Sequence, residues 1–354
     1  MAHDTTTQND AAETAPAAAK PTLYMFADSA SDIGTLKKVT AGKIPSSAHW
    51  EGRFTNGPLW VEYFALLTGF NLYSMGTGGA TADSRNSVVL DFLDYPVIVP
   101  GTQAQIAYFK ANNPSYSSSA TRDRDVAILQ AITNDFIVQA PNIASNVLSV
   151  EDFVNQIIDT IIEQLEQLRQ IGFKNIVVSQ MAPMQTTPLI KILDMVSIAS
   201  STVSLLSQKL PERVNAWASD ANDVTSVSIA EVGQPFEIAI KSEAVHKVLG
   251  ITNAKDSCLS VDADSLIKAD NKLVALLKTS YKAQESQLCG DPSTYVFFDL
   301  VHPSERIQRM LGYFSFEMIV AQQQGLQMEI NEESIVNLIE KYNLGTPVTK
   351  PAKI

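Results

Sequence analysis

The sequence predicts a doubly wound α/β domain, a mostly parallel sheet covered by helices on both faces. Three observations predict it. Short apolar runs rich in β-branched residues recur along the chain, stretches of helical periodicity separate them, and no pair of alternating runs flanks an Asn-Gly type turn. The most informative unit runs from Ser149: Phe153, Ile157, Ile161, Leu165 and Leu168 share one helical face, Gly172 follows, and "FKNIVVSQMAP" supplies a strand. Helix, glycine and β-branched strand in that order form the crossover unit of a parallel sheet.

Each element has its own warrant. Leu23 to Phe26 reads as a buried strand that stops in the small polar residues of "ADSASDIG". "PLWVEYFALLTG" is a helix with Pro58 near its first turn and Gly69 just past its last periodic residue. "NLYSMGTGGATA" is too glycine-rich for a helix interior and suits a tight backbone feature, and residues 83–100 read as a long loop. "GTQAQIAYFKANN" is a helix, and a strand follows at Val126 to Ala131. A second long helix is expected from about Leu189 to Ala221, then a strand in "DVTSVSIAEVGQ". Residues 235–290 read as irregular, with one or two helices. "TYVFFDLVHPSERIQRMLGYFSFEMI" gives a last strand, a polar turn and a helix, and a final helix covers about 331–342. The organisation expected is a flexible arm over 1–20, one domain over 21–343 with a helical and irregular excursion at 189–290, and a tail over 344–354.

Composition narrows the partners. Lys and Arg total 26 against 38 Asp and Glu, a formal charge of −12 that repels phosphate backbones, so no nucleic acid is expected. An anionic membrane would meet no polybasic attraction, which leaves at most peripheral membrane contact. No run of 18 uninterrupted apolar residues occurs, so no transmembrane helix is expected. The opening stretch shows neither the basic nor the apolar region of a signal peptide. Cys258 and Cys289 are too few for a disulfide scaffold and, with His246 the nearest histidine, a poor zinc set. On spacing alone they read equally as buried thiols or as a bridge.

Chemistry is concentrated in four places. In "FFDLVHP", Asp299 and His302 stand three apart after a strand, so the carboxylate can hold one ring nitrogen while the other faces a cleft. The plain alternative is a surface turn with a satisfied histidine. Ser29 ends the first strand, where its hydroxyl can be activated; Ser31 is its rival. "GTGGAT" offers Gly76, Gly78 and Gly79 for close backbone approach, and "ITNDF" offers Asn134 past a strand. A ligand-free glycine turn and a helix cap are the plain readings of those two. All four lie where strands are predicted to end, the edge at which an open α/β sheet holds its ligand.

Together these motifs resemble the GDSL-type or SGNH hydrolases, in their bacterial branch of secreted lipases, phospholipases A and glycerophospholipid:cholesterol acyltransferases. The resemblance runs from about Leu23 to Gly312 through "ADSASDIG", "GRFTNGPLWVEYFA", "SMGTGGA", "ITND" and "DLVHP". It implies a three-layer α/β/α fold of flavodoxin-like type, Ser29 as nucleophile, Asp299 and His302 completing a triad, and Gly78 and Asn134 as oxyanion donors. It implies no cofactor and no metal. The substrate implied is an acyl ester or phospholipid, with an alcohol or sterol as acyl acceptor. A short-chain or carbohydrate acetyl esterase, or a non-catalytic ligand-binding member, are the alternatives. Secreted relatives bridge the Cys289 region to an earlier cysteine, which turns Cys258 and Cys289 into an expected disulfide and the location into an extracellular one. Three positions depart from the family pattern: Ala27 and Ile132 stand for glycines, and Ser74 for asparagine. The two bulkier residues are expected to narrow the pocket or slow the enzyme. Trp50, Phe92, Leu93 and Tyr95 are candidates to line an acyl groove, or else ordinary loop anchors.

Overall fold

Alternation along the first strand sets the architecture. Leu23, Met25 and Ala27 pack into one apolar cluster and Phe26 into another, with Tyr24 beside it, so the strand is covered on both faces. The computed structural model describes residues 19–230 and 232–348, so most of the expected N-terminal arm, and the tail from 349, lie outside the described residues. The strands are β1 (Thr22–Ala27), β2 (Asn71–Ser74), β3 (Val89–Leu90), β4 (Val97–Ile98), β5 (Val126–Gln130), β6 (Asn175–Ser179), β7 (Ser226–Ala230), β8 (Asn253–Ser257) and β9 (Tyr295–Phe297). The central sheet has five strands in the order β2-β1-β5-β6-β7, every pair parallel. Counting only these strands along the chain, the order is the flavodoxin-like one, whose direction of winding reverses between β1 and β5.

The helices are α1 (Thr35–Val39), α2 (Trp60–Thr68), α3 (Thr102–Asn112), α4 (Thr133–Ala144), α5 (Val150–Ile171), α6 (Pro188–Ile192), α7 (Val196–Asp220), α8 (Gly233–Lys241), α9 (Glu243–Leu249), α10 (Ala263–Lys268), α11 (Lys272–Lys282), α12 (Glu305–Gln323) and α13 (Glu332–Lys341). One face of the sheet meets α3, α4, α5 and α7 through Phe109, Phe136, Ile157 and Leu206. The other meets α2, α8, α12 and α13 through Phe64, Phe236, Met310 and Leu338. This is the expected three-layer α/β/α fold. Helix α5 begins where Ser149 Oγ accepts the Asp152 N–H at 3.0 Å, and it ends at Gly172, whose φ of 110° needs a glycine.

Five local readings differ. Residues 235–290, expected to be irregular with one or two helices, hold most of α8, all of α9, α10 and α11, and strand β8, because their helices are short and lack one long apolar period. The helix expected over 189–221 is two, because Asp194 turns the chain at a φ of 55° between α6 and α7. Residues 83–100 hold a short antiparallel pair, with Val89 opposite Ile98. The stretch "NLYS" forms strand β2, an edge strand half open to solvent and without an apolar run to announce it. Strand β9 pairs with β8 in a separate two-stranded parallel sheet and does not join the central one.

Helices α2 and α12 cross closely. A Cβ at Gly312 would stand 2.6 Å from the Trp60 carbonyl oxygen, so only glycine admits this approach.

Candidate active site

Ser29 follows directly from β1. Asp28 caps the short turn Ser29–Ser31 by accepting the Ala30 N–H at 3.0 Å, and among the described residues the N–H of Ser29, on that turn, has no partner. Ser31 is fully buried, and its hydroxyl donates to Gln130 Oε1, which takes it away from His302.

Asp299 and His302 arrive from the other sheet. The hydroxyl of Ser29 lies 2.6 Å from His302 Nε2, and His302 Nδ1 lies 2.9 and 2.8 Å from the two Asp299 oxygens. Because Nδ1 must donate to a carboxylate, Nε2 is left as the acceptor for the serine proton. The backbone N–H groups of Val301 and His302 donate to Asp299 Oδ1 at 2.8 and 2.7 Å and fix the carboxylate. Burial alone would lower the His302 pKa, but contact with Asp299, with Asp28 and Asp32 behind it, outweighs this and the net shift is upward. Burial would likewise raise Asp299, yet the adjoining His302 and its hydrogen bonds hold it below the usual range. At Asp28 burial outweighs the Ala30 N–H and the nearby His302 and pushes the pKa up to about 6.

Asn134 opens α4, the helix after β5. Its Nδ2 donates one hydrogen to the Ala80 carbonyl at 2.8 Å, and the second has no partner among the described residues. Asp135 beside it accepts the N–H groups of Ala82 and Asp83 at 2.7 and 3.0 Å, so the start of α4 is clipped to the glycine turn. Gly78 is placed differently from its expected role: its N–H donates to Asp32 Oδ2 at 2.7 Å. Among the described residues the Gly79 N–H has no partner. Ser74 ties the turn to the serine turn, donating to the Ser31 carbonyl at 2.7 Å and accepting the Gly76 N–H at 3.1 Å. Ala27 keeps an ordinary negative φ, whereas Ile132 is forced to a φ of 105°.

Several residues around the site have no role assigned from the sequence, although Phe54, Thr55 and Asn56 lie in the "GRFTNGPLWVEYFA" segment that carries the resemblance. Phe54 stacks on His302 with centroids 5.1 Å apart, and a Cβ on Gly78 would collide with its ring. Asn56 Oδ1 accepts the Glu305 N–H at 2.8 Å and Thr55 Oγ1 donates to the Pro303 carbonyl at 2.8 Å. "GRFTNGP" therefore braces the turn that holds His302. The cleft at Ser29 is walled by Trp60, Met184, Phe236 and Leu311, with Gln130, Gln180 and Gln308 among them. None of Trp50, Phe92, Leu93 or Tyr95 lines it. Trp50 lies under Arg53, Phe92 packs on Tyr281, Leu93 is in the core and Tyr95 sits beneath Lys43. Apolar character in a loop says only that a side chain is anchored. Among the described residues no cluster of three or more His, Cys, Asp or Glu could hold a metal, and no helix is long and apolar enough to cross a membrane.

A hydroxyl, an imidazole and a carboxylate in this chain, with the Ser29 N–H unengaged among the described residues, can carry out acyl transfer through a covalent ester. Comparison with known proteins agrees. The family model for GDSL-like lipase/acylhydrolase matches residues 23–313. A phosphatidylcholine-sterol acyltransferase of Aeromonas hydrophila is 24% identical over 334 residues, covering 85% of this chain and 90% of that protein. A GDSL esterase/lipase of Arabidopsis thaliana is 23% identical, covering 82% of this chain and 89% of that protein. A thermolabile hemolysin of Vibrio parahaemolyticus is 22% identical, and the match spans 62% of its length. With the family model covering most of its length, the chain belongs to the GDSL-like lipase/acylhydrolase family and is a serine ester hydrolase or lipase.

Proposed function

We propose that the protein cleaves lipid esters through an acyl-enzyme on Ser29, as a phospholipase A, lysophospholipase or lipase able to pass the acyl group to an alcohol. The observation that carries the reading is the continuous chain from Ser29 Oγ through His302 to Asp299. His302 takes the Ser29 proton as the hydroxyl oxygen attacks the ester carbonyl, and Asp299 stabilises the imidazolium. The same proton then goes to the leaving alcohol. Water, or an acceptor alcohol such as a sterol, attacks the acyl-enzyme with His302 again as base.

Negative charge on the tetrahedral oxygen is met by the Ser29 N–H and the second Asn134 Nδ2 hydrogen. The glycine turn supplies a third donor. Gly78 serves only if its bond to Asp32 is exchanged for one to the oxyanion, whereas the Gly79 N–H is already without a partner among the described residues. The walls of Trp60, Met184, Phe236 and Leu311 favour an acyl chain over a polar acyl group, and the acyltransferase named among the relatives supports a phospholipid donor. The Cys258–Cys289 disulfide supports a location outside the reducing cytoplasm, with at most peripheral contact to lipid.

A fluorophosphonate tests the chemistry and an ester series the substrate. The label is expected on Ser29 and lost in Ser29→Ala, while Asn134→Ala keeps the label and loses about a hundredfold in turnover. p-Nitrophenyl esters from acetyl to palmitoyl, then phospholipid vesicles with and without an alcohol, are expected to show preference for the longer chains and release of fatty acid. Labelling at Ser31 would refute the nucleophile. Preference for acetyl esters with no fatty acid released would refute the lipid substrate in favour of a small-ester or carbohydrate esterase.

A further inference from the structure

His49 lies just before the segment that braces His302, and no step described above uses it. Its side chain is fully buried, with its ring against Phe298 and Phe54 at centroid distances of 5.3 and 5.8 Å. Its Nε2 stands 3.9 Å from Asp299 Oδ2, and among the described residues neither ring nitrogen has a hydrogen-bond partner. Packing does not explain a polar ring here, because leucine or phenylalanine would occupy an aromatic slot without leaving an N–H unpaired. Asp299, His302 and Lys37 are the charged or titratable groups that act on it. Burial brings its pKa down to about 4, His302 and Lys37 push the same way, and Asp299 opposes them. The ring is therefore neutral wherever His302 can act as a base, with one proton on one of its two nitrogens. A proton on Nδ1 would leave a lone pair facing the carboxylate. A proton on Nε2 points the N–H dipole at Oδ2, and that tautomer is the favourable one.

We propose that His49 is a positioning residue, whose Nε2–H faces Asp299 Oδ2 and steadies the carboxylate that orients His302. It acts through Asp299 and does not meet the substrate, so the inference rests on the roles given above to Asp299 and His302. A donor at Oδ2 draws charge away from the contact with His302. Losing it makes Asp299 a stronger partner for the imidazolium and raises the His302 pKa further. Asp28 and Asp32, which also act on His302, stay as they are.

The test compares the full chain with His49→Leu and His49→Gln, the glutamine amide placing an N–H near the lost Nε2. Two quantities are read: the His302 ring titration by nitrogen-15 NMR, and kcat and KM for a p-nitrophenyl ester, with thermal midpoints alongside. His49→Leu is expected to raise the His302 titration by roughly half a unit, and to lower kcat about three- to tenfold with KM unchanged. His49→Gln is expected to restore both. If the leucine variant does not fold, His49→Asn, whose shorter amide falls at the Nδ1 position, takes its place with the same expectation. An unchanged His302 titration, or a loss that glutamine fails to restore, overturns the proposal. Ring titration requires no turnover, so an inert wild-type protein would refute the proposed function while the NMR result still decides His49.

Discussion

Among the described residues, Ile132 is the non-glycine residue with the largest positive φ. It is fully buried at a φ of 105° and ψ of −44°, a conformation that suits glycine and strains a β-branched side chain. The strain is worth about 1–3 kcal/mol, against about 2–5 kcal/mol for deleting a buried isoleucine side chain. Packing is the larger effect, so Ile132→Gly is expected to lower the denaturant midpoint despite freeing the backbone. A stabilised variant would show that strain dominates. His302 gives a second expectation at this scale. Its pKa is raised, and it must be neutral to accept the Ser29 proton, so activity falls as the pH drops through the raised value. The acid limb of kcat/KM should therefore lie above the ordinary histidine value of about 6.5. A limb at or below that value would mean that burial outweighs Asp299.

At the scale of elements, the Cys258–Cys289 disulfide closes a segment beside the strand that leads into the site. The two cysteines are 31 positions apart and enclose α10 and α11. Cys258 N–H donates to the Phe297 carbonyl at 3.0 Å, so the bridge abuts β9, from which the chain runs into Asp299. Closing a loop of this length is worth about 3–4 kcal/mol at most. Cys258→Ala with Cys289→Ala is expected to lower the thermal midpoint by several degrees, while fluorophosphonate still labels Ser29. Loss of labelling in a protein that remains folded would make the bridge part of the site. The pairing was open on spacing and became an expectation only through resemblance, because sequence separation does not show that two Cα atoms come within 4.9 Å.

Across the whole molecule, what was legible is what is repetitive or chemically rare. Strands β1, β5 and β6 announce themselves as buried apolar runs, and Asp299 and His302 as an unusual pair in a chain with four histidines. Strand β2 does not, because its edge position leaves it half exposed. Phe54, Asn56 and His49 could not be read as site residues, since their partners are some 240 or more positions away and a ring in a slot looks like any core aromatic. Nor could the sequence show that the site joins two sheets. Ser29 and Asn134 follow strands with neighbours on both sides, β1 and β5, whereas Asp299 and His302 follow a three-residue strand in a two-stranded sheet with an irregular register. Amide exchange should respect that inequality. Val296 and Phe297 are expected to exchange before Met25 and Ile128, through an opening that leaves the central sheet intact. The enzyme would then lose its base while still folded: on heating, activity should vanish below the temperature at which helical circular dichroism collapses, and return on cooling. Coincident transitions would mean that the two sheets open as one.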